Sequence, residues 1–418
     1  MITFSDLSGL LKTKYAKIIN DNVVKKVMLL NQLKASNLDV IPGSREVRHA
    51  VRLTRNNSVM FAQMGVSNSP LTLPASNSSK VVQAVSYVKS VHGNLELAGD
   101  IIRASMSDEG AFAKATVSEM AELVDSMKIE VNRALYGDGT GKLGVVDTVA
   151  GAPDNYITLR NTFAEQLPNI EYFDEGMYLD FWNEAGPAYR GSLKIESVNP
   201  ATLTLTFTTD PTSINITAGD TIYLYGCRNV EPTGLLAIAD NGTYVGNLHG
   251  ISNTDYHRWN GYVDISTSGD FRALDDIMLQ NMLTFLQRAG DKVLIITTEE
   301  IQAKIARLIK SGGGTYIPMK PEALKGGFTA ITYNGHPVYA DMYARKNTIF
   351  GLVPDYLKLH QLKPGDKFDA ISFDDLDGQV LHKAKGENSY YAEAVGDFEL
   401  TCVRRNAFGR ISDIDANL

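Results

Sequence analysis

The run Gly139-Thr140-Gly141-Lys142-Leu143-Gly144 has glycines at its first, third and sixth positions, the spacing of a dinucleotide-binding fingerprint. That spacing does chemistry when it joins a strand to a helix, because the helix N-terminus then receives the phosphate. Here the glycines follow a helix-patterned segment, so a phosphate would meet no helix N-terminus. The mononucleotide loop fails as well. Tyr136 stands five positions before Gly141, and Leu143 follows Lys142 where a serine or threonine is needed. The run reads instead as a tight loop that uses glycine to reach positive φ. Asp374, Asp375 and Asp377 precede Gly378, but Phe373 takes the place of an oxygen ligand five residues before that glycine. This is the pattern of a solvated acidic turn. The seven histidines include no His-x-x-x-His pair. Cys227 and Cys402 form no Cys-x-x-Cys motif, and no Gly-x-Ser-x-Gly elbow is present. The expectation is a chain with no cofactor, no bound metal and no catalytic residue.

Charge is the chemistry that remains. The chain has 418 residues and a formal net charge of −8, which argues against an ordinary nucleic-acid binder. Its first 55 residues are nevertheless basic. Lys12, Lys14, Lys17, Lys25, Lys26 and Lys34 stand against Asp6 and Asp21 over residues 1–35, and Arg45, Arg48, Arg52 and Arg55 follow. A basic stretch on an acidic chain suits an arm that docks on an acidic surface of a second copy. Two cysteines suit a reducing, cytosolic setting. The N-terminus lacks a signal-peptide layout, and no apolar run reaches membrane-spanning length.

The elements that place these residues follow from periodicity. Leu7, Leu10, Leu11, Tyr15, Ile18 and Ile19 recur at helical spacing within 5–34. From residue 45 the period changes to two, with Val47, His49, Val51 and Leu53 alternating with Arg48, Ala50, Arg52 and Thr54. A polar stretch at 67–79 separates this strand from a second, 80–91, which predicts a projecting hairpin with Lys80 and Lys89 on its return. Residues 107–136 form the strongest helix, striped by Ala113, Val117, Met120, Val124, Met127, Val131 and Ala134 and stopped at Gly137. Residues 171–226 hold short β-rich runs between Asn199-Pro200, Asp210-Pro211 and Ala218-Gly219-Asp220, the pattern of a small barrel or sandwich. Helices at 271–289 and 299–310 flank a buried strand at 292–297. Strands at 332–339 and 347–353 follow, and a strand over 393–411 closes the chain.

The order of these features resembles the tailed-bacteriophage major capsid proteins, which have the Hong Kong 97-type capsid fold. The residues that carry the likeness are the long helix with Ala134-Leu135-Tyr136-Gly137-Asp138-Gly139-Thr140-Gly141, the strand around Val293-Leu294-Ile295-Ile296-Thr297, the turn at 333–341 and the closing strand at 395–411. The segment 171–230 is similar to the β-domain inserted in some members. The resemblance implies an α+β fold divided as follows. An N-terminal arm spans 1–43 and an extended hairpin 44–100. A peripheral domain with a spine helix and glycine-rich loop spans 101–170, and an inserted β-domain 171–229. The peripheral domain continues over 230–290, an axial domain spans 291–384, and the peripheral domain ends with 385–418. It implies a shell protein that forms pentamers and hexamers and encloses double-stranded DNA without reading its sequence. It implies a scaffolding protein, a portal and a decoration protein as partners, with assembly in the host cytoplasm and residence in the virion. The expected inter-subunit residues are Arg45, Arg48, Arg52, Arg55, Lys80, Lys89, Gly137, Asp138, Gly139 and Gly141. Some relatives join subunits by a lysine–asparagine bond, for which Lys80, Lys89 and Asn406 supply the residue types. The alternatives are an encapsulin-type nanocompartment shell, which shares this fold, and an α/β enzyme centred on 271–360.

Overall fold

The computed structural model describes residues 29–30, 33, 35–36, 45–61, 74–98, 109–161, 169–311, 330–361, 371–373, 380–383, 386 and 388–415. Of the expected arm helix, Leu29, Leu30 and Leu33 are described, and all three are buried. Gly312 to Gly314 and the acidic turn at 374–378 lie outside the described residues.

The hairpin forms from β1 (Glu46–Arg52) and β2 (Val81–Tyr87), antiparallel, with Glu46 opposite Tyr87 and Arg52 opposite Val81. Alternation fixes its faces: Val47 and Val51 are buried, while Arg48, Ala50 and Arg52 are exposed. The return strand does not run on unbroken to 91. It stops at Val88, and β3 (Lys89–Ala98) leaves the hairpin for a different sheet.

Helix α1 (Glu109–Ala134) is about 39 Å long at ~1.5 Å per residue. Met120, Val124, Met127, Val131 and Ala134 form its buried stripe, as their three- and four-residue spacing requires. The basic side chain of Arg133 in the last turn suits the negative end of the helix dipole. The chain then turns through Gly137 and enters a closed barrel. Its strands are β4 (Lys142–Ala150), β5 (Tyr156–Leu159), β6 (Tyr178–Asn183), β7 (Ala188–Asn199), β8 (Thr204–Phe207) and β9 (Thr221–Leu224), paired in the cyclic order β9-β4-β5-β8-β7-β6. The barrel has an apolar core of its own, including Val146, Ile157, Leu179, Phe181, Leu205, Phe207 and Ile222. It therefore begins about 30 residues before the expected start at 171. Two of its six strands, β4 and β5, come from the segment assigned to the peripheral domain. Closure is the physical reason, because a four-stranded remainder would leave two sheet edges unpaired.

After the barrel come a small hairpin, β10 (Asn247–Leu248) and β11 (Ile251–Ser252), then β12 (Tyr262–Asp264), α2 (Asp276–Gln287), β13 (Leu294–Thr297) and α3 (Glu299–Ser311). Next are β14 (Ala330–Tyr333), β15 (His336–Ala340), β16 (Ile349–Leu352), β17 (Leu357–Gln361), β18 (Ile371–Phe373), β19 (His382–Lys383), β20 (Ser389–Cys402) and β21 (Phe408–Ile411). Asn334 and Gly335, both at positive φ, make the two-residue turn between β14 and β15. One six-stranded sheet runs β12-β21-β16-β13-β15-β14. In the other, β20 is the central strand and pairs with β17, β18, β19 and β3, while Ala35–Ser36 lies on the far side of β17. The sheets do not divide at 290/291 and 384/385. The expected closing strand is two strands in two sheets, because the turn at Arg405–Ala407 breaks it and sends β21 beside β12 and β16.

The barrel boundary has a direct test. Residues 142–226 expressed alone are expected to give a β-rich circular dichroism spectrum and one cooperative melt. Residues 172–228, which lack β4 and β5, are expected to give neither, and a cooperative melt from that shorter fragment would move the boundary back.

Candidate assembly surface and the joint behind it

The structure brings the basic residues together on the hairpin. Arg45, Arg48, Arg52 and Arg55 are all exposed, with Arg48 and Arg52 on one face of β1. Arg48 reaches back to Glu46 at 2.5 Å, and Arg55 donates to Asn57 at 3.0 Å. Exposed ion pairs of this kind are weak and exchange readily for a better partner. Lys80 is exposed, with its ammonium over the Tyr256 ring at 4.8 Å. Lys89 is half-buried where β3 begins. Beyond β1 the chain exposes Val59, Met60 and Phe61, the last at 99%. Sequence reasoning missed these three because they border a polar stretch, although three consecutive apolar residues beside a loop were the signal. An apolar run next to a cationic strand has the composition of a protein-binding surface, with an apolar centre and a charged rim.

The glycine loop has a different position and an internal task. Asp138 accepts hydrogen bonds from the Thr140 amide at 2.9 Å and the Thr140 hydroxyl at 2.5 Å, which folds the loop tightly. Gly139 and Gly141 have φ of +90° and +79°, as a glycine-specific loop requires. Gly141 is buried, and a Cβ there would lie 2.4 Å from the Cys227 carbonyl oxygen. Across the loop, a Cβ on Gly234 would lie 2.4 Å from the Gly137 carbonyl oxygen. The chain entering the barrel and the chain leaving it thus run in backbone contact. Asn229 N–H donates to Thr140 O at 2.8 Å, Leu235 N–H to Leu135 O at 2.7 Å, and Leu236 N–H to Gly137 O at 3.1 Å. Gly137, Asp138, Gly139 and Gly141 therefore close the neck of the barrel within one chain.

A buried ion pair locks that neck. Arg133 Nη2 lies 2.5 Å from Glu231 Oε1, both side chains are 6% exposed, and Arg133 Nε donates to Glu130 at 2.7 Å. Burial disfavours the charged guanidinium, but Glu231 and Glu130 outweigh it and hold Arg133 firmly protonated. One turn along, Asn132 and Tyr136 both donate to Asp341 Oδ2, at 3.1 Å and 2.8 Å. Asp341 follows β15, so the end of α1 is tied to that sheet as well. From the barrel side, Asn169 donates to the carbonyls of Met342 and Ala344 at 2.8 and 3.2 Å. A second buried cluster lies at the C-terminal turn. Asp240 accepts backbone hydrogen bonds from Gly242, Tyr244 and Val245 and contacts Arg410 at 3.0 Å and Arg405 at 3.6 Å. Burial alone would raise its carboxyl pKa; these amides and Arg410 keep it below the usual range.

Neither free cysteine is activated. Burial pushes the Cys227 thiol up to about 11 and the Cys402 thiol up to about 12, so neither is a thiolate near neutrality. Burial likewise raises the Glu399 carboxyl to about 7, against a hydrogen bond from Thr233. Among the described residues no group of three or more His, Cys, Asp or Glu side chains could hold a metal ion.

No family model and no curated protein matches the sequence. Solved structures do match. The cyanophage A-1(L) capsid subunit superposes with a TM-score of 0.56 at 12% identity, over 94% of this chain and 94% of that one. The fold is that of a phage capsid protein. The capsid of an empty GTA particle is also similar (TM-score 0.46, 10% identity, 94% of this chain and 91% of that one). So is the holo-SrpI encapsulin of Synechococcus elongatus PCC 7942 (TM-score 0.43, 9% identity, 81% and 79%). In this capsid fold the joint at the end of α1 carries the barrel, while one face of the hairpin packs into the main core through Val51 and Ala84. Glu231→Ala should leave Arg133 buried with one carboxylate in place of two, at a cost of about 3 kcal/mol. Chemical denaturation checks this, and a loss below about 1 kcal/mol would show that the pair does not hold the neck.

Proposed function

We propose that this chain is the major capsid protein of a tailed phage, a structural subunit that assembles into pentamers and hexamers around double-stranded DNA. The carrying observation is the superposition on a phage capsid subunit over nearly the full length of both chains. The hairpin supports the reading. It puts Arg48 and Arg52 on one exposed face of a two-stranded ribbon, with exposed Arg45, Arg55 and Val59-Met60-Phe61 in the flanking chain, and a two-stranded ribbon by itself has little independent stability.

The mechanism is association through many modest contacts. A contact between unlike surfaces that closes on itself makes a ring. When each copy also grips further neighbours, the contacts reinforce one another and the closed shell outlasts any single one. The net charge of −8 suits a wall that encloses DNA without trapping it. On this reading a scaffolding protein, a portal and a decoration protein are its partners, assembly takes place in the host cytoplasm, and the product resides in the virion. The contact residues are Arg45, Arg48, Arg52, Arg55, Lys80 and Lys89, while the glycine loop acts behind them by holding the barrel.

Arg48→Glu with Arg52→Glu tests the reading. Rim charges govern association more than folding, so the double variant should keep its melting temperature yet remain a monomer in sedimentation velocity under conditions where the parent forms rings or shells. Normal assembly of the variant would remove the hairpin arginines from the interface. A parent that stays monomeric at every concentration and with scaffold would overturn the reading itself.

A further inference from the structure

The base of the β1–β2 hairpin is fastened to the body through histidines. His249 sits at the tip of the β10–β11 turn with φ +52°, followed by Gly250 at φ +80°, and its side chain is buried at 7% exposure. Its backbone carbonyl accepts the Val85 N–H of β2 at 3.0 Å. Its ring makes two contacts. Nδ1 lies 2.5 Å from Ser86 Oγ on β2, and Nε2 accepts the Cys402 N–H at the end of β20 at 3.4 Å. From β1, His49 Nε2 reaches the Cys402 carbonyl at 3.3 Å, and the two imidazoles meet edge to face at 6.1 Å. The peptide of Cys402 thus holds one histidine by its N–H and another by its carbonyl.

We propose that His249 is an acid-sensitive latch, which docks the base of the hairpin while neutral and releases it when protonated. The geometry dictates the tautomer. Because Nε2 accepts from Cys402, the ring proton must be on Nδ1, where it donates to Ser86. A second proton would fall on Nε2 and point at the Cys402 N–H, donor against donor. The charged groups that bear on the two histidines are cationic or become so: His49 from β1, His360 and Lys358 from β17, and Arg405 from the turn after β20. Burial, followed by His49, Arg405 and His360, lowers His249 to about 3, and burial with Lys358 also lowers His49 despite the Cys402 carbonyl.

The sign follows by linkage. The docked state favours neutral His249, whereas the released ring titrates near the ordinary value of about 6.5. Above that pH both states are neutral and the latch has its full strength. As pH falls toward about 3, only the released state takes up the proton, so the ratio of released to docked hairpin rises by up to about tenfold per pH unit. The inference concerns the free subunit and does not depend on the shell reading.

The test is amide hydrogen exchange on the full-length chain from pH 7.5 to pH 5, corrected for intrinsic exchange. Protection of 46–52 and 81–87 should fall as the pH drops below about 6.5, while barrel amides in β4 and β7 hold steady. His249→Gln keeps an acceptor and a donor but cannot titrate, so its hairpin protection should fall less steeply with pH than the parent's, the remaining fall coming from His49. Should that variant fail to fold, exchange at the imidazole C2 position of the parent gives a second reading. His249 should then resist protonation for as long as 46–52 stays protected. The latch is refuted by constant hairpin protection in the parent, by an equal fall in the variant, or by His249 titrating near 6.5 with the hairpin still docked.

Discussion

The last turn of α1 is the point to which the rest of the molecule is anchored. Within six residues, Asn132, Arg133, Leu135, Tyr136 and Gly137 bind two separate parts of the chain, the segment 231–236 and Asp341. Arg133 holds Glu231 in the segment leaving the barrel, Asn132 and Tyr136 hold Asp341 beyond β15, and the carbonyls of Leu135 and Gly137 take the amides of Leu235 and Leu236. These groups are buried, so each polar atom needs its partner, and removing one leaves another charged or polar group stranded. A helix end normally leaves carbonyls unsatisfied. Here the amides of Tyr136 and Gly137 satisfy the carbonyls of Arg133 and Ala134, the returning chain binds those of Leu135 and Gly137 just beyond, and that contact is close enough to admit only glycine at 234.

That constraint separates what is rigid from what can move. The barrel has its own closed core and is held at its neck and through Asn169 to Met342 and Ala344, while the two six-stranded sheets share the main apolar core, which includes Phe350, Leu359, Leu400 and Phe408. The hairpin shares less. Val51 and Ala84 join the main core, whereas Arg48 and Arg52 face away. Its attachment at the base runs through polar contacts to His249 and Cys402. A hairpin with one face packed on the core and its arginine face exposed is suited to meet another copy, which is the work proposed for it.

Much of the fold was legible in the sequence wherever a strong period met a clear stop. The α1 stripe ending at Gly137, the alternation around Arg48, and the Asn334-Gly335 turn each follow from one local rule. The errors came from long-range facts. Nothing local in 142–159 distinguishes a strand that closes a barrel from one that joins another sheet, so the barrel boundary was placed too late. The run from 393 to 411 reads as one strand because its apolar density does not fall at Arg405, yet Arg405 and Arg410 turn inward to Asp240 and divide it. The glycine loop reads as positive-φ backbone, and Gly139 and Gly141 adopt it. Its place at the barrel neck depended on Cys227 and Glu231, about ninety residues away. His249 carried no motif at all, since its role arises only where β2, the β10–β11 turn and β20 converge.

The most direct measurement is electron cryomicroscopy of the purified chain after assembly with scaffold, carried to side-chain resolution. The account predicts rings of five and six copies in a closed shell, with Arg48, Arg52 and Phe61 of each hairpin buried against a neighbouring copy and the Arg133–Glu231 pair intact inside every subunit. Particles absent under all assembly conditions, or a shell in which the hairpin arginines face solvent, would contradict it.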